Sequence, residues 1–228
     1  MSFFDQIQES TVAERAYLNA APLIADSLNG RITLKQYVAY LCQAYHHVKH
    51  TVPLLMATGS RLPESHEWLR DALAEYIDEE RGHQEWILND IEACGYARES
   101  ARCSAPTLAT ELMIAYAYDT INRGNPVGFF GMVQVLEGTS IALADSAAAS
   151  IQESLSLPNE AFSYLRSHGA LDQEHVKFFR SLMNAIESQE ERRAIVHCAK
   201  VFYRLFGDVL RGVDAEQANA LRLIEGAA

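Results

Sequence analysis

GFFGMVQVLEGTSIALADSAAASIQESL, residues 128–155, is apolar or small at almost every position, and no face of it is given over to charge. A helix that is apolar all round is buried on all sides, so this stretch predicts a central helix with other helices packed around it. Elsewhere apolar residues recur at helical spacing and alternating β-branched runs are absent, which predicts an all-α protein.

On the N-terminal side we expect a first helix from Thr11 to Leu28, stopped by Asn29-Gly30, because both residues tolerate positive φ. Thr33 should cap a second helix reaching about Ala57, with a kink or break near Val52 imposed by Pro53. A third covers Ser65 to Cys94 and ends at Gly95. A fourth covers Leu108 to Asn122 and ends in the turn Arg123-Gly-Asn-Pro126. Beyond the central helix, a sixth runs from Pro158-Asn159 to about Ile186, a seventh from Gln189 to Leu210, and a short eighth follows Val213. No repeat or low-complexity linker divides the chain, so residues 1–228 are expected to form one domain, a bundle of seven to eight helices.

The 30 acidic residues outnumber the 19 basic ones, and a net charge of −11 disfavours nucleic acid and anionic membrane surfaces as partners. A small-molecule substrate and a homodimer are expected instead. The start MSFFDQIQES has no basic region followed by an apolar run, so a cytoplasmic location is expected. Cys42, Cys94, Cys103 and Cys198 are scattered without a C-x-x-C pair, which suits idle or buried thiols better than zinc or redox chemistry.

Three pieces carry chemistry. In HGALDQEH, residues 168–175, a helix would bring His168, Asp172 and His175 onto one stripe, either an ion-paired solvated face or part of a metal site. In DEERGHQEW, Glu80 and His83 stand three apart, the E-x-x-H spacing of bundle-embedded di-iron sites, with Glu79 a one-residue alternative and a charged surface turn the competing reading. Glu137 lies within the apolar central helix, where a desolvated carboxylate needs a cation, a metal or a hydrogen bond. Gly138 beside it is read as a close-packing position.

Together these give three carboxylates and three imidazoles from three helices, a dinuclear inventory. Mixed oxygen and nitrogen ligation without thiolate suits iron or manganese. Tyr45, His46 and His47 are candidate catalytic residues on the second helix; lining a pocket or satisfying core hydrogen bonds is the competing reading for them and for His50. His66 and His197 are read as ordinary. Phe129, Phe130, Met132 and Tyr45 are expected to line an apolar cavity between the second and fifth helices.

The order of these pieces is E-x-x-H, a lone Glu about fifty residues on, and H-x-x-x-D-x-x-H some thirty residues later. It resembles the haem-oxygenase-like di-iron oxidases of the TenA/PqqC-like superfamily. The Tyr45-His-His-Val segment with its following proline extends the likeness over nearly the whole chain. The resemblance implies a haem-oxygenase-like bundle and a non-haem site of two Fe(II) ions, with manganese the alternative. Its ligands would be Glu80, His83, Glu137, His168, Asp172 and His175, and O2 would be the co-substrate. Members decarboxylate or fragment fatty acids and amino acids, N-oxygenate, or form p-aminobenzoate from tyrosine. Some members place a Glu on the second helix, where this chain has His46 and His47.

No haem is expected, since haem oxygenase needs a proximal His near the N-terminus and the earliest here is His46. Thiaminase chemistry is disfavoured, because no Cys lies between Cys103 and Cys198. Two alternatives stand beside the di-iron reading: a metal-free TenA/PqqC-like enzyme or binding protein for a heteroaromatic metabolite of thiamin or quinone cofactor pathways, and a dimeric binding module without catalysis.

Overall fold

The computed structural model describes the backbone at residues 1–170 and 172–225 and side chains at residues 1–167 and 176–213. The central helix is α10, Phe130–Leu155, 26 residues and about 39 Å long. A short 3-10 turn, Pro126–Phe129, leads into it, with the Asn125 side chain accepting from Val127 N at 3.0 Å. By length and composition Pro126–Leu155 would pass for a membrane span, but more than half of its most apolar 18-residue window is buried within the bundle.

Around α10 pack α3 (Pro22–Leu28), α11 (Ser163–Ala170) and the long α13 (Gln189–Glu225). The α13 contact is backbone against backbone: a Cβ at Gly131 would lie 2.5 Å from Ala199 N and 2.6 Å from Ile195 O, so only glycine fits. Gly131 is a close-packing position; at Gly138 a Cβ would meet, among the described residues, the Gln134 side chain at 3.2 Å.

The described residues are helical with no strand, as expected, but the helices outnumber the seven or eight read from periodicity. The expected first helix is two, α2 (Val12–Asn19) and α3, which restarts at Pro22, and it is preceded by a helix not expected, α1 (Phe3–Ser10), capped by Ser2 and Asp5. Proline favours the first helical position because its ring presets φ and the missing N–H has no partner there anyway. The expected second helix divides into α4 (Leu34–Val48) and α5 (Thr51–Arg61), breaking at Lys49-His50 so that Pro53 falls in the first turn of α5. Thr33 caps α4 as expected, with Thr33 Oγ1 accepting from Gln36 N and Gln36 Oε1 accepting from Thr33 N.

The expected third helix splits at Gly82 into α6 (Glu67–Glu80) and α7 (His83–Ala93). After α8 (Arg98–Cys103) comes α9 (Leu108–Arg123), tied to α4 by Gln43 Oε1, which accepts from Thr107 N and Thr110 Oγ1 at 2.8 Å each. The expected sixth helix is α11 followed by α12 (Asp172–Ala185), and the expected seventh runs unbroken past Val213, so the eighth is its continuation.

Candidate active site

A cavity of about 150 Å3 opens along one face of α10. Its wall uses Phe129, Met132, Leu136, Ser140, Ala147 and Ile151, positions that recur at helical spacing over roughly 33 Å of the helix axis. Helices α3, α4, α5, α6, α11 and α13 close the other sides. The lining is mostly apolar, so a ligand here is held chiefly by area removed from water. Phe129 and Met132 line it as expected; Phe130 belongs to the core and Tyr45 is buried outside the cavity wall.

The polar lining is concentrated on α4, α6, α10 and α11, where Tyr40, His47, Tyr76, Glu80, Glu137 and Tyr164 face the cavity. Tyr76 is 3% exposed, and its hydroxyl has no hydrogen-bond partner among the described residues. Burial first, and then the charges of Glu137, Glu79, Glu80 and Glu75, hold that hydroxyl protonated far above the ordinary tyrosine range. Tyr40 is pushed up to about 12 by burial, and Tyr164 is raised by burial and then by Tyr40, Glu80 and Asp90. These phenols are donors at any physiological pH.

Glu80 and His83 do not share a helix. Glu80 is the last residue of α6, Gly82 turns the chain with φ 98°, and His83 opens α7. A left-handed φ is easy only for glycine, so DEERGHQEW is a designed joint rather than a continuous helical face. Across the joint His83 Nδ1 lies 3.0 Å from Glu80 Oε2. The imidazole is buried and packs against Trp86 with the rings tilted by 32° and 4.2 Å between centroids. Of the two adjacent glutamates, Glu80 lines the cavity and Glu79 is exposed.

His46 and His47 part company. His47 faces the cavity with its ring against Phe206. His46 lies outside the cavity wall: its Nε2 is 2.9 Å from Ser104 Oγ, which itself donates to Ala101 O, and Lys49 Nζ is 3.2 Å from its Nδ1. Since Lys49 can only donate, the imidazole carries its proton on Nε2 and donates to Ser104. Burial, followed by the charges of Lys49 and His50, lowers its pKa to about 4. Tyr45 packs edge-on against this ring. His46 therefore joins α4 to the Ala101–Ser104 turn, and neither it nor Tyr45 is among the residues lining the cavity. His50 pairs with Tyr118 at 3.1 Å, also away from the cavity.

The side chains of His168, Asp172 and His175 lie outside the described residues. Among the described residues no three His, Cys, Asp or Glu side chains form a group able to hold a metal ion; Glu80, His83 and Glu137 do not make one by themselves. The described part supplies a carboxylate–imidazole pair at the α6–α7 joint and a second carboxylate on α10. These are oxygen and nitrogen donors of the kind non-haem iron takes.

Asp90 escapes a sequence reading. It is fully buried on α7, two turns beyond His83, and its carboxylate accepts from Ser163 N at 3.0 Å, Tyr164 N at 2.9 Å and the Ser163 hydroxyl. It caps the start of α11 and fixes that helix, with its cavity residues Tyr164 and Leu165, against α7. Desolvation raises its pKa in spite of the hydrogen bonds. The buried Cys42 and Cys94 are pushed up to about 12 by burial, as inert thiols should be.

Residues 38–207 match the family model described as iron-containing redox enzyme. No curated protein matches the sequence. A domain of unknown function with a heme oxygenase-like fold from Shewanella denitrificans OS217 superposes with a TM-score of 0.82 at 24% identity, over 100% of this chain and 97% of that one. A TenA homolog from Pseudomonas syringae pv. tomato gives 0.79 at 11% identity over 93% and 92%. Heme oxygenase from Leptospira interrogans gives 0.74 at 15% over 93% and 100%. At these identities the likeness is one of fold.

Proposed function

The chain belongs to the haem-oxygenase-like family of iron-containing redox enzymes, and from that membership we propose that it is a non-haem di-iron oxidase using O2 to oxidise a small organic metabolite. Fatty-acid-like and amino-acid-like substrates are the classes in view; the apolar length of the cavity favours the first. The observation that carries this reading is that Glu80, with His83 at 3.0 Å from its carboxylate, and Glu137 line the polar side of an otherwise apolar cavity.

Glu80, His83 and Glu137, joined by His168, Asp172 and His175, would hold the ions. Bound ferrous iron supplies the electrons and open coordination positions that O2 chemistry requires and side chains lack. The protein's own residues do the rest. The α10 wall excludes water and aligns an extended substrate, Tyr76 holds a proton at its hydroxyl beside the two glutamates, and Asp90 keeps α11 in place.

Anaerobic Fe(II) titration of the tag-free chain should saturate near two ions per chain, with a transient visible absorption on adding O2. A His83→Ala, His168→Ala double variant should lose both. If neither binding nor absorption appears at high protein concentration, the iron reading fails. The metal-free reading then stands, for which the phenols of Tyr40, Tyr76 and Tyr164 facing the cavity would serve a heteroaromatic ligand.

A further inference from the structure

The cavity is unequal on the two sides of Glu137. Along α10 and the turn before it, the lining residues ahead of Glu137 are large: Phe129, Met132, Val133 and Leu136. Beyond Glu137 they are mostly small, Thr139, Ser140, Ala144 and Ala147, with Leu143 the exception, until Ile151. A short side chain facing a cavity leaves open the space that a longer one fills, so the room for a ligand lies chiefly on the Ile151 side. Residues 137 to 151 cover about 21 Å of helix axis. Across from them the wall is again apolar, with Leu23, Ile24 and Leu28 of α3. The end of α3 is fastened to the last turns of α10. Ser150 Oγ donates to Leu28 O at 3.3 Å, and Gly30, with φ 63°, lies so close that a Cβ there would stand 3.3 Å from Ser154 Cβ. The buried Ile32, two residues past Gly30, and the buried Ile151 line this end.

From the large residues on the Phe129 side, the small ones on the Ile151 side and the α3 end fastened to α10, we infer that the cavity selects its substrate by the length of an alkyl tail. The tail runs from the polar residues toward Ile151, Ala144 and Ala147 give it passage, and Ile32 and Ile151 set the longest chain accommodated. This deepens the oxidase reading, on which it rests for the chemistry at the head of the molecule, by naming the residues that gauge its tail.

The test is calorimetric titration of the full chain with straight-chain carboxylates from hexanoate to hexadecanoate, below their aggregation concentrations, both iron-loaded under anaerobic conditions and after chelation. The head group is constant through the series, so the change per added carbon reports the tail alone. Affinity should rise about fourfold per methylene and stop rising within the series. Ala147→Phe should bring that limit several carbons earlier and leave hexanoate affinity unchanged. Ile151→Ala should move the limit to longer chains, and Met132→Ala, on the other side of Glu137, should leave it in place. The inference is overturned by affinity that does not depend on length, by a limit that neither Ala147→Phe nor Ile151→Ala moves, or by one that Met132→Ala moves. Equal weakening of hexanoate and the longer chains by Ala147→Phe would overturn it too. Fe(II) titration of the same samples reports separately on the oxidase reading: length dependence can be absent while iron binds, or present while iron does not.

Discussion

His46 and His47 are neighbours on α4 and serve opposite sides of the molecule. On the His46 side, imidazole, Lys49, Ser104 and the Ala101 carbonyl form a closed chain of donors and acceptors. On the His47 side, the cavity gathers phenols and carboxylates, and Tyr76 leaves a donor unused. A completed polar network specifies packing, whereas an incomplete one awaits a ligand. Asp90, with three donors on its carboxylate, belongs to the first kind although it sits between helices that build the cavity.

That contrast can be broken most severely at Asp90. Asp90→Ala strands one buried and one part-buried N–H group and should cost about 3 kcal/mol, read as a drop in denaturation midpoint, while Asp90→Asn, which keeps one acceptor, should cost nearer to ~1 kcal/mol. A close second is the pH response of His46. Its folded pKa of about 4 lies below the ordinary value of 6.5, so as pH falls from 6.5 the unfolded chain takes up a proton that the folded one refuses. Stability should be fully present above pH 6.5 and decline by roughly 3 kcal/mol down to pH 4. The decline should flatten in His46→Gln, as measured by denaturant midpoints across that range.

A smaller effect of opposite sign is expected on the cavity side. Tyr76→Phe removes an unsatisfied hydroxyl and should leave stability unchanged or raise it by up to ~1 kcal/mol; a clear destabilisation would mean that Tyr76 belongs with the structural polar groups. Smallest of all, Ser104→Ala should cost ~1 kcal/mol or less and leave iron binding untouched, a change in it showing that the two sides are coupled.

The helical class, the Thr33 cap, the Asn29-Gly30 stop and the central place of α10 were legible because each rests on local chemistry; the burial of that helix is complete only over residues 130–135. The joint at Gly82 was not, because E-x-x-H keeps its spacing whether or not the helix is continuous, and only the backbone angle at Gly82 tells the two apart. His46 and His47 could not be separated, since one step along a helix turns a side chain by 100° and the face of α4 that meets the cavity depends on partners far away in sequence. Asp90 pairs with residues 73 and 74 positions downstream, a distance no motif spans. Tyr76 carried one local signal, its position four before Glu80, which puts both on one face of α6.

The joint at Gly82 has an electrostatic corollary. Because α6 stops at Glu80, its last carbonyls have no intrahelical donors, and the partial negative end of a fourteen-residue helix dipole falls beside the Glu80 carboxylate. An unbroken helix through Gly82 would bury that pole in its own hydrogen bonds. Ending there, α6 brings a field that favours a cation at the joint.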